Sequence, residues 1–262
     1  MKKLTVILAV AATLMAADSF AAGITVKASK NYVTKFAEQM QNVDAVNVAG
    51  PINVEFNQSR GSEANVQIFA PDNALEFIEV TNSAGMVTVG VRNGVKISGA
   101  SKLKVIVTCP QLRAAWVTGE ANLLFKGDSQ FKSLEIKVSG TGNVLADKLG
   151  SNSLTVNISG KGGVVCKSLV ANTVSANLSG KGSLELRGRT TKADFVTSGS
   201  GGVSAEKLDA QEVTARVSGS GGIACAADKS LVASVSGKGK IVYVGTPSSI
   251  NASGKKENIK QK

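Results

Sequence analysis

Apolar residues fall on every second position through most of the C-terminal half of the chain, and the alternation returns in blocks of about twenty residues. A Ser-Gly-x-Gly tetrapeptide marks each block, at 139–142, 159–162, 179–182, 198–201, 218–221 and 236–239, with a degenerate copy, Thr118-Gly119-Glu120-Ala121. Counted from Gly119 to Gly237, successive first glycines are 21, 20, 20, 19, 20 and 18 residues apart. Two, four and six residues before the glycine stand Val138, Ile136 and Leu134, then Ile158, Val156 and Leu154, then Leu178, Ala176 and Val174. Val217, Ala215 and Val213 and then Val235, Ala233 and Leu231 continue the columns, with mostly polar residues in between. The block with Ala193, Phe195 and Thr197 fits less well, because a large Phe195 stands beside a small Ala193. Strict period two means a strand with one buried face. The alternation resumes after each corner, as in Val144 and Ala146, Val164 and Cys166, or Ile223 and Cys225, and Leu149, Leu169 and Leu208 share one further inward position.

This pattern predicts an all-β chain folded as a right-handed parallel β-helix, a solenoid with rungs of about twenty residues. One rung buries too little apolar surface to offset the ordering of its backbone, so rungs must stack and fold together. A hairpin meander would reverse strand direction each time and gives no reason for the same residue types to recur every twenty positions. The glycines suit a corner with positive φ or without room for a Cβ.

The half before Trp116 lacks the tetrapeptide but keeps strand-like runs at Val46–Val48, Ile52–Phe56, Val66–Phe69, Phe77–Val80, Met86–Val91 and Leu103–Val107. It is read as irregular first rungs, up to about residue 116, of one solenoid domain spanning 22–247, the alternative being a separate β-domain. The regular rungs then occupy 117–247. The tail, 248–262, is polar and basic, with Lys255, Lys256, Lys260 and Lys262, and is expected to be frayed or only partly ordered.

Residues 1–21 read as a secretory signal peptide: a basic start, an apolar stretch from Leu4 to Ala17, and small residues at Ser19 and Ala21, with cleavage after Ala21. The stretch is too short for a spanning helix, and no cysteine follows it to carry a lipid anchor. The mature protein is therefore expected to be exported, with no membrane span after cleavage, to the periplasm, the cell surface or the medium. The formal charge is +11, and +10 once Lys2, Lys3 and Asp18 are removed. A basic surface favours anionic partners, here an acidic polysaccharide or an envelope component, and nucleic acid is not expected in that compartment.

The chain has no histidine, which removes histidine triads, histidine bases and histidine metal clusters. No metal or cofactor is expected. A strand rather than a helix follows every glycine pair, so a nucleotide-binding loop is not expected either. Cys166 and Cys225 hold equivalent inward positions three rungs apart, about 14 Å at a stacking distance of about 4.8 Å, too far for a disulfide. They and Cys109 are expected to be unpaired.

A polysaccharide lyase or glycoside hydrolase on a β-helix is the rival reading to a non-catalytic protein. Its candidates are the acidic group Glu206, Asp209 and Glu212, or Arg187 or Arg216 as base. The column Asp147, Lys167, Arg187 and Glu206 is read instead as a solvated charge ladder with opposite charges adjacent at both ends. The remaining candidate is the corner itself. There Thr141, Lys161, Lys181, Ser200, Ser220 and Lys238 form one row beside Ser139, Ser159, Ser179, Ser198, Ser218 and Ser236. Such a row could track an anionic glycan, with Lys161 and Lys181 on adjacent rungs as the main candidates and Lys238 as a third.

The Ser-Gly-x-Gly rungs, the closing run Gly237-Lys238-Gly239-Lys240-Ile241-Val242-Tyr243-Val244-Gly245-Thr246-Pro247 and the leading Val46-Asn47-Val48-Ala49-Gly50-Pro51-Ile52-Asn53-Val54 resemble the head GIN domain family of adhesin-type proteins. The resemblance spans about Val43 to Gly254. It implies a β-helical, secreted or envelope-associated protein without an established activity. The residues after the repeats are too few for the strands of an outer-membrane translocator barrel, so none is expected there.

Overall fold

A computed structural model describes residues 23–37, 40, 42–62 and 64–262. The expected signal peptide lies outside the described residues. In chain order the first half holds β1 (Ile24–Lys27), β2 (Tyr32–Phe36), β3 (Ala45–Ala49), β4 (Asn53–Gln58), β5 (Asn65–Pro71), β6 (Ile78–Ser83), β7 (Met86–Val91), β8 (Val95–Ser98), β9 (Lys104–Cys109) and β10 (Ala114–Thr118). Five long bent strands follow: β11 (Asn122–Val138), β12 (Asn143–Ile158), β13 (Gly163–Leu178), β14 (Ser183–Thr197) and β15 (Gly202–Val217). The chain closes with β16 (Gly222–Ala226), β17 (Ser230–Val235), β18 (Lys240–Val244), β19 (Ser249–Gly254) and β20 (Ile259–Gln261).

These strands stack in parallel as a β-solenoid. The first wall runs β7, β3, β10, then the C-terminal parts of β11 to β15, then β17 and β19. The second runs β9, β4, the N-terminal parts of β11 to β15, then β16, β18 and β20. A short third side joins them through the middle of each long strand, where Ser129, Leu149, Leu169, Gly188 and Leu208 stack.

The inward columns follow the sequence period: Val138, Ile158, Leu178, Thr197, Val217 and Val235 lie in register, one per rung. Phe195 fits because the stack makes room for it. Its register neighbours are Ala176 and Ala215, with Val156 and Ala233 one rung beyond. Large and small side chains thus interdigitate along the axis, as close packing demands.

The corner glycines are required by close approach. A Cβ on Gly160 would sit 2.0 Å from the Gly140 carbonyl oxygen, and one on Gly162 1.9 Å from that of Gly142. Neither adopts the left-handed conformation. Each corner backbone lies directly on the one below, with no space for a side chain between them.

In the first half, spatial order departs from chain order. The rung of β3 and β4 lies between the rung of β7 and β9 and that of β10 and β11, although β7 and β9 come later in the chain than β3 and β4. Beyond β7 and β9 the strands turn antiparallel: β6 pairs with β7, β5 with β9, and β2 with β5. They cap the outer strands β7 and β9, whose unpaired groups would otherwise invite further strands. β1 and β8 form a separate parallel pair.

Two expectations need correction. The tail is not frayed: β19 pairs with β17 and β20 with β18, so 249–261 form a further rung. Ile250 and Ala252 stack on Leu231 and Ala233, and Ile259 on Ile241, and the ladder hydrogen bonds hold this segment despite its polar composition. The charge column also holds only at its first step. Lys167 pairs with Asp147 at 2.8 Å, whereas Arg187 turns to Glu185 on its own strand and Glu206 meets Lys262 at 2.9 Å. The cause is a rung one residue short. Cys166 faces Leu186, but Leu169 faces Gly188, and Arg187 then lies opposite Lys207 instead of Glu206. Gly188, at φ +130°, thereby takes the place of a leucine on the third side.

Cys109, Cys166 and Cys225 are free and buried. Desolvation pushes their thiols up to about 12, 11 and 12 respectively. A thiol reagent at pH 8 is therefore expected to leave all three unmodified in the native protein and to label all three in denaturant, counted by mass spectrometry. Rapid native labelling of Cys166 and Cys225 would overturn the register. Because the folded pKa values lie above the ordinary value near 9.0, the stability linked to these protons is complete below pH 9. It is lost as pH rises from there through 11 to 12.

Candidate functional site

The corner row occupies the edge between the two walls. Thr141, Lys161, Lys181, Ser200, Ser220 and Lys238 are all exposed there, as are the six serines beside them. Their backbone N–H groups are not free. Lys161 donates to the Gly140 carbonyl at 2.9 Å, Lys181 to Gly160 at 3.0 Å and Lys238 to Gly219 at 2.9 Å. The corner therefore offers no backbone nest for an anion, and recognition falls to its side chains. Among the described residues, none of these three lysines makes an ion pair. Lys161 and Lys181 are neighbours on successive rungs. Lys238 stands three rungs beyond Lys181, with Ser200 and Ser220 between, so the structure does not bring it to the other two.

The second wall adds a feature that apolar periodicity does not reveal. Its first outward column carries Asn53, Asn122, Asn143, Gly163, Ser183, Gly202, Gly222 and Lys240. From Gly163 to Gly222 this is a flat shelf beside the lysine row, because no side chain larger than serine rises from it. A signal is present in the sequence all the same: the residue directly after each second glycine is small in most copies. At the N-terminal end the column becomes an amide ladder, in which Gly163 N–H donates to Asn143 Oδ1 at 3.0 Å, Asn143 to Asn122 at 3.2 Å and Asn122 to Asn53 at 3.0 Å.

The candidate catalytic groups are dispersed, and Glu206, Glu212, Arg187 and Arg216 are held in ion pairs. Glu212 pairs with Lys192 at 3.0 Å, Arg216 with Asp194 at 3.0 Å, and Glu206 with Lys262. Glu206, Asp209 and Glu212 lie along the bent β15, with Asp209 on the third side opposite Arg189 and Glu212 on the first wall opposite Lys192. A cleft of about 270 Å³ opens at the shortened rung, lined by Glu185, Arg187, Ser204, Glu206 and Lys207. Its Arg187 is held by Glu185 at 2.8 Å. Asp147 is held below the usual carboxylate range, chiefly by its hydrogen bond from Lys167, which suits a permanent anion in a ladder. No helix among the described residues is long and apolar enough to cross a membrane.

None of the curated proteins matches the chain. Solved structures do. A "putative adhesin" from Parabacteroides merdae ATCC 43184 is 22% identical, with a TM-score of 0.78 over 91% of this chain and 99% of that one. A "putative adhesin" from Parabacteroides distasonis ATCC 8503 is 22% identical, with a TM-score of 0.81 over 91% and 100%. A "putative lipid binding protein" from the same organism is 21% identical, with a TM-score of 0.80 over 91% and 100%. These likenesses establish a shared fold. The model of one family matches residues 42–247, from the leading run through the last regular corner, and the chain belongs to that family, described as "putative auto-transporter adhesin, head GIN domain".

Proposed function

We propose that this chain is a non-catalytic, adhesin-type β-solenoid of the cell envelope, exported by a signal peptide cleaved after Ala21. It binds an extended anionic glycan along the edge of Lys161 and Lys181 and across the shelf beside them. One observation carries the reading: two lysines on successive rungs, without an ion pair among the described residues, border a wall whose first outward column is Gly163, Ser183, Gly202 and Gly222. A polymer can lie flat against such a wall while its carboxylates meet the lysines. Lys238 serves at most the far end of the polymer. The family description and the relatives described as adhesins support the adhesin part of this reading.

Binding is tested on an array of polygalacturonate, alginate, glycosaminoglycans and neutral glycans. Replacing both Lys161 and Lys181 by alanine is expected to weaken binding of the anionic polymers roughly three- to tenfold, as exposed charge pairs do, with a weaker effect for Lys238→Ala. Binding should also fall as salt rises. Capture by phosphatidylglycerol vesicles in place of glycans would move the partner to a lipid surface, the class named for one relative. Turnover that depends on Arg187, Arg216 or Asp209, seen as unsaturated products or new reducing ends, would overturn the non-catalytic reading.

A further inference from the structure

A cavity of about 430 Å³ opens on the outer face of the second wall where β4, β5 and β9 meet, lined by Asn53, Glu55, Phe69, Ser101, Lys102 and Lys104. Its size falls within the range of small-ligand sites. We propose that it is a binding pocket for the terminal residue of an acidic polysaccharide, a uronic acid. Three features argue for that chemistry.

The charge in the cavity is positive after internal pairing. Glu55 is met by Lys104 at 3.3 Å and by Lys126 at 3.8 Å, while Lys102 has no ion pair among the described residues. A carboxylate ligand would complete the pairing at Lys102. The amide ladder also ends here with a donor to spare. Every step from Gly163 through Asn143 and Asn122 donates toward Asn53, whose own N–H2 group is unused among the described residues. Donors aligned in series polarise one another, so this terminal amide favours an acceptor such as a sugar oxygen. Finally Phe69, backed by Tyr32 at a ring distance of 5.1 Å, gives the cavity an aromatic wall for the apolar face of a pyranose.

Asn53 heads the outward column that becomes the shelf, so the pocket lies at one end of the proposed glycan track. The inference rests on the glycan reading only for the polymer; the pocket itself is tested with single sugars. Titration of the intact chain with galacturonic acid and glucuronic acid, followed by calorimetry or ligand-observed nuclear magnetic resonance, should show binding. Galactose, acetate and inorganic phosphate should bind about tenfold more weakly or worse, since each lacks either the carboxylate or the sugar ring. Lys102→Glu at this exposed position should weaken uronate binding about tenfold or more, and Asn53→Ala should weaken it less. Lys260→Ala, which removes a cation on β20 at the far end of the solenoid, should leave it unchanged. Thermal melts check that each variant is folded. Absence of uronate binding, insensitivity to Lys102→Glu, or equal binding of acetate or phosphate would overturn the pocket. Polymer binding that still needs Lys161 and Lys181 would in that case leave the edge reading standing.

Discussion

Ile158→Asp is expected to destabilise the protein by about 3 to 5 kcal/mol and to unravel the rungs on either side of it. Ile158 is 1% exposed and stacks between Val138 and Leu178, so a carboxylate there loses its hydration with no cation to meet it. Each rung relies on its neighbours for burial, so the damage spreads along the axis. Asn152→Asp, on the exposed outer surface two residues before Leu154, should stay within about 0.5 kcal/mol of the parent. Asn157 makes a poorer comparison, since its amide donates to Glu135 at 3.2 Å and an aspartate there would face a like charge. Denaturant melts read by far-ultraviolet circular dichroism decide the matter. Equal midpoints for Ile158→Asp and Asn152→Asp would mean that the inward columns are misplaced.

Gly160→Ala should be comparably severe, for a different reason. Its methyl carbon would lie 2.0 Å from the Gly140 carbonyl oxygen, so the two corners must separate. That movement breaks the hydrogen bonds which the same carbonyl accepts from Lys161 at 2.9 Å and from Gly162 at 3.0 Å. Two backbone bonds lost without replacement cost about 1 to 3 kcal/mol each where the groups stay out of water, and strain adds to this. Gly202→Ala supplies the contrast. A Cβ there meets nothing closer than the Gly222 carbonyl oxygen at 3.6 Å, and its backbone is not left-handed. Alanine at 202 should be neutral or stabilise by about 0.4 to 1 kcal/mol, through the reduced freedom of the unfolded chain. Urea midpoints of the two variants that coincide would sink the close-approach account of the corners.

Ile158 and Gly160 both have roles legible in the amino-acid sequence, and the reason is physical. Val138, Ile158 and Leu178 recur because each stacks on the next, so the spacing of the sequence is the spacing of the fold. The corner glycines recur because each excludes a Cβ from the one above. Where stacking no longer dictates the residue, the sequence says less. Antiparallel β5 and β6 alternate in the same way as parallel strands, so their pattern does not say that they cap β9 and β7. Composition does not register backbone ladders, which is why the polar 249–261 segment has the sequence of a frayed end and the structure of a rung. The missing residue beside Gly188 moves Arg187 away from Glu206 and interrupts only the leucine column of the third side, while the apolar columns of both walls stay in register. Lys161 and Lys181 are legible as neighbours, because both sit at the same place in consecutive corners. The shelf shows only as the small residue after each second glycine, which a search for apolar positions passes over, and the Asn53 pocket leaves no mark, since it depends on β9 lying beside β4 and β5 beside β9.

The order of rungs in the first half also sets a timetable for assembly. A chain that emerges N-terminus first lays down β3 with both of its edges bare. Its partner on one side, β7, follows 41 residues later, and its partner on the other, β10, only after 69. The regular rungs cannot be added to the stack until that wide loop has closed, and loop closure is the slow step of a topology rich in distant contacts. Past Val138 the demand changes. Every new strand finds a finished template about twenty residues behind it. The protein is thus completed in two regimes, one concerted closure that establishes a base and then stepwise elongation upon it.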